Sequence, residues 1–202
     1  MSLWQGASPL VLASQSESRH AILVAAGIPH EIEPAQIDER LVEQRAAAGS
    51  AAQIAELLAR EKALAVSARR PGALVLGADQ TLAAGARRFS KPTTRAAARE
   101  QLAYLRHRTH ELHSAMAVVR DNSMLFEHCE VARLTMREFS AEFLEAYLDA
   151  VGDTATASVG GYQLEKAGIQ LFERIEGDHF VILGLPLLAL LRFLRGEGLL
   201  LA

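Results

Sequence analysis

With 202 residues, 50% of them hydrophobic and 22% charged, the chain suffices for one large domain, or two lobes sharing a core, that buries roughly 70% of its unfolded surface without a staple. A net charge of -3 argues against the basic face that a nucleic-acid binder needs, although a few cations can still converge locally on a phosphate compound. One cysteine, Cys129, cannot form an internal disulfide, so a reducing compartment and a cytoplasmic location are expected.

The opening Met1-Ser-Leu-Trp-Gln-Gly has no basic segment followed by an apolar one, and no signal peptide is expected. Leu10-Val-Leu-Ala13 reads as a short strand, followed by polar Ser14-Gln-Ser16 and a helix from about Glu17 to Ala26. Gly27 and Pro29 close that helix. Ser50-Ala-Ala-Gln53 is a capping box that opens a helix running to about Ser67. Ala73 to Leu76 is a buried-type strand leading into Gly77-Ala-Asp79, and a polar loop then reaches Lys91-Pro92. A helix is expected from about Arg95 to Leu105, with Ala98, Leu102 and Leu105 at helical spacing. Strands over His110 to Val119 and Leu125 to Met136 form a hairpin through Arg120-Asp-Asn-Ser123. Ser140 caps a helix to about Ala150, and a glycine-bearing loop from Ser158 to Tyr162 leads to a strand near Ile169 to Ile175. Gly177-Asp178 turns into the apolar Phe180 to Leu183, and Pro186 opens a last helix ending near Gly196. The apolar run from Phe180 to Leu191 is broken by Gly184 and Pro186 and stops at Arg192, well short of the ~20 residues that span a bilayer, so it reads as core and no membrane partner is expected. Alternating strands and helices around a central hairpin give an α/β domain with a mixed sheet.

Four places can carry chemistry. At Ser14-Gln-Ser16-Glu-Ser-Arg19 a strand delivers the chain to a helix N-terminus, where free N–H groups, two hydroxyls and a guanidinium suit an anion. The plainer alternative is that Ser16 caps the helix and Arg19 is solvated. On the helix from Ser50, Ile54, Leu57, Leu58 and Ala65 define an apolar face, with Glu61 inside it and Lys62 on its flank. Either Glu61 forms a structural salt bridge, or Lys62 reaches from the core side toward a phosphate. Asp79 directly follows an apolar strand, at a sheet end where ligands often bind, or else it is a turn residue. Lys91 is fixed before Pro92 on a turn ahead of a helix. His107, His110 and His113 recur every third residue, but 110 and 113 fall on opposite faces of a strand, which weakens the reading as a zinc-binding interaction module.

Taken together, LVLASQSESR, IDE at Ile37 to Glu39, LAREKA around Lys62, GADQ at Asp79, SKP at Lys91, RTHELHSA from Arg108 and LFERIEGDHFVILGLPL near the end resemble the Maf family. The resemblance runs from about Leu10 to Arg195 and is read as a single domain over residues 1–202. It implies a fold similar to the inosine-triphosphate pyrophosphatases: an elongated mixed β-sheet flanked by helices, with a cleft between two lobes. The implied activity is hydrolysis of a nucleoside triphosphate to the monophosphate and pyrophosphate, in a family whose members often pair as homodimers. Asp79 matches the catalytic aspartate, expected to act as general base. Ser14, Arg19, Lys62 and Lys91 match the phosphate-binding set. Glu39, with Asp79, matches the acidic residues that hold a divalent metal cation, Mg²⁺ or Mn²⁺. An alternative is a nucleotide-binding regulator of cell division without turnover, against which the retention of Asp79 and both lysines counts.

The departures concern selectivity. Many relatives have threonine after the GAD aspartate, where this chain has Gln80, and many have glutamine in the late loop, where Glu165 aligns. Both resemble the branch that takes 7-methyl-GTP more than the one that takes dTTP and UTP, which implies a house-cleaning preference for modified nucleotides. That branch often has a bulky residue and a second arginine where this chain has Ser18 and His20, a departure from its pattern.

Overall fold

The computed structural model describes residues 3–46 and 49–201. Met1 and Ser2, part of the opening segment judged against a signal peptide, lie outside the described residues. Hydrogen bonding orders seven strands as β2-β1-β3-β5-β6-β7, with β4 on β3. The chain divides into two compact units: residues 1–80, 114–130 and 178–202 form the first, and residues 81–113 and 131–177 the second.

In the first unit β1 (Leu10–Leu12) pairs in parallel with β2 (His30–Ile32) and with β3 (Val75–Ala84). Side chains on a strand alternate between faces, and the two cores of this unit follow that alternation. Leu10, Leu12, Leu74, Leu76, Ala78, Met116 and Val118 meet Ile22 and Leu23 of α1 (Glu17–Ala25) and Leu187, Leu190 and Leu194 of α7 (Leu187–Gly196). Val11, Ala13, Val75, Ala115, Ala117 and Val119 meet Ala55, Ala59, Ala63 and Val66 of α3 (Ala51–Ser67). Burial on both faces explains why these strands read as apolar runs rather than as alternating patterns. The capping box of α3 is present: Gln53 N donates to Ser50 Oγ at 3.3 Å, and Ser50 N donates to Gln53 Oε1 at 2.8 Å. Gly27 ends the α1 segment with φ +66°.

The hairpin between β5 (Thr109–Arg120) and β6 (Ser123–Met136) turns through Asp121 and Asn122, both left-handed at φ 49° and 59°, as a two-residue turn requires. Ser67 Oγ accepts from Asn122 N, and Asp121 Oδ1 accepts from Gly72 N.

The second unit holds β4 (Arg87–Phe89), antiparallel to the end of β3, and β7 (Phe172–Glu176), antiparallel to β6. It also holds α4 (Arg95–Leu105), capped by Thr94, and α5 (Ala141–Val151), capped by Ser140 as its sequence predicts. No helix among the described residues is long and apolar enough to cross a membrane.

Several expectations need correction. β3 does not stop before Asp79: the strand continues to Ala84, because Gly85, at φ +58°, folds Leu82-Ala83-Ala84 against Arg87-Arg88-Phe89. Asp79 therefore lies inside a strand, not in a turn beyond one. The segment near Ile169 is a 3₁₀ turn over Ala167–Leu171, and the strand starts at Phe172. A side chain at Gly168 would fall 2.4 Å from Gln163 O, a close backbone crossing that an extended chain would not make. On α3, Lys62 and not Glu61 occupies the buried face; Glu61 and Leu57 sit only half-buried on the flanks. The helix lies on the sheet through its alanine stripe, so the closest face is lined by the smallest side chains rather than by the leucines. β2 and α2 (Glu39–Arg45) had no counterpart in the sequence reading.

Candidate active site

Odd-numbered residues of β3 face α3, so Val75, Gly77 and Asp79 lie along its alanine stripe. At Gly77 an added Cβ would stand 2.1 Å from Ala59 O and 2.7 Å from Ala63 N. The helix backbone thus rests on the strand with no side chain between them, which carries Lys62 to Asp79. Lys62 Nζ donates to Asp79 Oδ1 at 2.6 Å and pairs with Glu39 Oε1 at 2.9 Å. Asp79 is 8% and Lys62 7% exposed, while Glu39 is exposed at the N-terminus of α2. Asp38 caps that helix by accepting from Leu41 N, which fixes where Glu39 emerges.

Even-numbered residues of β3 face the other way, toward Arg19. Ser16 caps α1, and Arg19, one turn in, is buried at 8% exposure. Its Nε donates to Gly184 O at 2.8 Å, and its Nη1 donates to Ala78 O at 2.9 Å and Ser14 Oγ at 3.0 Å. Ser14 Oγ also accepts from Ser16 N. All three acceptors of the guanidinium are neutral, and among the described residues Nη2 donates no hydrogen bond. Burial lowers the pKa of Arg19, while the charges of Asp79 and Glu39 oppose that shift. A buried cation tied to neutral acceptors, with donors to spare, is poised for an anion.

Gln80 faces the same side as Ala78. Its Nε2 donates to Ser114 Oγ at 2.8 Å and to the carbonyls of Val181 and Ile182 at 3.0 Å, in α6 (His179–Ile182). Ser114 Oγ donates to Val181 O at 2.7 Å. Gly184, at φ +97°, follows α6 beside both the Arg19 guanidinium and the Gln80 amide. Ser18 is half-buried on the first turn of α1, and His20 is exposed beside His30.

The structure therefore gathers Ser14, Arg19, Glu39, Lys62, Asp79 and Gln80 in the first unit. Lys91 and Glu165 belong to the second. Lys91 is exposed after Ser90, whose carbonyl accepts from Gln101 Nε2 at 2.9 Å, and Glu165 is exposed after the buried Leu164. Sequence reasoning missed the supporting layer: Gly77, Ala78 O, Ser114, and the α6 carbonyls with Gly184. Ser114 left no clear signal, since it follows the mostly polar Thr109-His-Glu-Leu-His113 at the start of the apolar run.

Two carboxylates, Glu39 and Asp79, converge on one point, where the Lys62 ammonium now sits. Oxygen donors of this kind suit Mg²⁺ or Mn²⁺, which accept few protein ligands and keep several waters. Among the described residues no group of three or more His, Cys, Asp or Glu side chains could hold a metal. The donors fit an ion whose remaining ligands are water and substrate oxygens.

The family model for Maf-like proteins matches residues 9–197. The chain belongs to the Maf family. A relative from Rhodopseudomonas palustris strain BisB18 is 58% identical over 200 residues, 99% of each chain. One from Bradyrhizobium diazoefficiens is 57% identical over 199 residues, 98% of each. Both are named nucleoside triphosphate pyrophosphatase. A HAM1 protein of Coxiella burnetii aligns over 63% of this chain and 72% of its own at 20% identity and a TM-score of 0.41, too distant to add to the case. The segments that carry the Maf resemblance also carry these side chains: LASQSESR gives Ser14 and Arg19, GADQ gives Asp79 and Gln80, and HFVILG gives the carbonyls that hold Arg19 and Gln80.

Proposed function

We propose that this Maf chain hydrolyses a nucleoside triphosphate between its α and β phosphates, giving the monophosphate and pyrophosphate. The observation that carries this reading is the buried Asp79 carboxylate against Lys62, one residue after the carbonyl that anchors the buried Arg19 guanidinium. That arrangement sets a base beside a fixed cation, as attack by water on a phosphate requires.

In this reading Asp79 orients a water and takes its proton as the water oxygen attacks the α-phosphorus. The bond to the bridging oxygen breaks, and pyrophosphate leaves. Arg19, through its unengaged Nη2, and Ser14 bind phosphate oxygens, and Lys62 exchanges a carboxylate for one as charge moves outward. Lys91 joins the phosphate set on the strength of the family pattern. Glu39 and Asp79 would hold Mg²⁺ or Mn²⁺, which when bound offsets the triphosphate charge.

For the base, Glu165 supports a preference for guanine-type triphosphates, 7-methyl-GTP among them, over dTTP and UTP. A carboxylate accepts hydrogen bonds from the N1–H and exocyclic amine of guanine, whereas thymine and uracil present two carbonyls around one N–H. Gln80 would act from behind, its amide being committed to the α6 carbonyls and Ser114.

The test is product analysis with purified protein, a nucleoside triphosphate and Mg²⁺. Monophosphate plus pyrophosphate is expected, and only with the cation. Nucleoside diphosphate plus orthophosphate would mean that the β–γ bond is cut and would overturn the reading.

A further inference from the structure

The segment that carries Glu165 is built with more care than an exposed loop needs. Gly160 and Gly161 are both left-handed, at φ +79° and +77°, and Tyr162 follows them into the interior. A Cβ at Gly160 would stand 2.7 Å from Tyr162 Cε1 and from Leu82 Cδ1, so the ring lies directly on this glycine. Three side chains from three helices or strands hold the segment. Gln101 of α4 accepts from Gly160 N at 3.2 Å, Tyr147 of α5 donates to Gly161 O at 3.3 Å, and His110 of β5 meets the Tyr162 hydroxyl at 2.7 Å.

The last contact differs in kind. His110 is 1% exposed and packs against the rings of Tyr162 and Phe172. Burial raises the Tyr162 pKa and lowers that of His110 to about 4, so near neutral pH the phenol keeps its proton and the imidazole is uncharged. The hydroxyl therefore donates and Nε2 accepts, which leaves the proton of His110 on Nδ1, an atom with no partner among the described residues. A buried histidine whose ring makes one hydrogen bond leaves Nδ1–H unsatisfied, a cost offset by giving the buried Tyr162 hydroxyl its acceptor. Tyr162 and Leu164 are buried, and Glu165 emerges three residues after the tyrosine.

We propose that the Tyr162–His110 hydrogen bond is a positioning contact that fixes where the Glu165 carboxylate stands, so that selectivity among bases depends on this buried pair. The inference rests on the reading that Glu165 meets the base. His110 and Tyr162 are positioning residues, acting through Glu165.

The experiment is competition kinetics on the full chain with Mg²⁺ and 7-methyl-GTP, GTP, dTTP and UTP. The readout is the ratio of kcat/KM between guanine-type and pyrimidine triphosphates. Tyr162→Phe removes the donor, and His110→Leu removes the acceptor from the opposite end, so one soluble variant is enough. His110→Gln keeps an acceptor at about the reach of Nε2.

Glu165→Gln should erode the ratio. Tyr162→Phe and His110→Leu should erode it by about fivefold or more, the equivalent of one hydrogen bond, while His110→Gln stays close to wild type. Tyr162→Phe combined with Glu165→Gln should erode it no further than Glu165→Gln alone. A purely structural role would lower kcat/KM for all four nucleotides in parallel and leave the ratio untouched, overturning the proposal. An unaltered ratio in Glu165→Gln would remove the base-reading role of Glu165, and the proposal with it. Erosion in Glu165→Gln but not in Tyr162→Phe or His110→Leu would keep that role and reject the positioning contact.

Discussion

Lys62 and Asp79 meet at 2.6 Å because Gly77, two residues before the aspartate, lets α3 lie with its backbone against β3. The contact is set by a missing side chain. Alanine at 77 would put a Cβ 2.1 Å from Ala59 O, and a carbonyl inside a helix cannot swing aside as the end of a long side chain can.

Gly77→Ala should therefore displace α3 and part the ion pair, costing about 1–3 kcal/mol as overpacking does, together with most of the activity. Urea unfolding and pyrophosphate release, measured on the same preparation, check both. Wild-type stability with wild-type turnover would show that the helix does not depend on this contact.

Asp79→Asn keeps the shape of the side chain and removes its charge and basicity. Lys62 retains Glu39 at 2.9 Å, so the fold should survive and nucleotide should still bind. Turnover should fall by about 10²–10⁴, the usual worth of a general base. Calorimetric titration and single-turnover kinetics separate the two effects. A variant with most of its kcat would strip Asp79 of the role.

These residues were not equally legible in the sequence. A capping box marks α3 and helical spacing marks α4 because such signals are local, and Asp121-Asn122 marks its own turn. β2 left no trace: a strand of three residues, set between Pro29 and Pro34, is too short for a period. The course of β3 past Asp79 was hidden because polar Asp-Gln-Thr imitates a loop when the facing helix is out of view. Lys62 was placed on a flank for a related reason. Hydrophobicity favours the leucine side of α3, whereas closeness to the sheet is decided by Ala55, Ala59 and Ala63. The distant partners of Arg19 and Gln80, Gly184 and the α6 carbonyls, lie a hundred or more residues away, and backbone carbonyls carry no sequence signature.

Arg19 offers a sharper test than a simple deletion. Its planar guanidinium spans the carbonyls of Gly184 and Ala78 and the Ser14 hydroxyl at once. A lysine ammonium is a compact charge that cannot bridge such a set and also reach a phosphate. Arg19→Lys should lower kcat/KM by roughly 10–100-fold, matching the loss of one charge-assisted hydrogen bond of about 1.5–3 kcal/mol. Full activity with lysine would mean that only the charge matters there and that the fork geometry is incidental.

His110 makes a prediction about acid. Burial holds its pKa at about 4, against 6.5 for the free side chain. Between those values the unfolded chain binds a proton that the folded chain refuses, so stability falls as pH is lowered through this window and is fully present above 6.5. Each tenfold difference in proton affinity is worth about 1.4 kcal/mol, so His110 should cost roughly 2 kcal/mol between pH 6.5 and 5, before most carboxylates titrate. Urea midpoints for wild type and His110→Gln, measured from pH 7.5 to 5, isolate the contribution, because every other histidine is common to both. The variant should lose less stability than wild type over that range. Parallel pH profiles would mean that His110 is not held neutral by the fold, and that its bond to Tyr162 tolerates the charged ring.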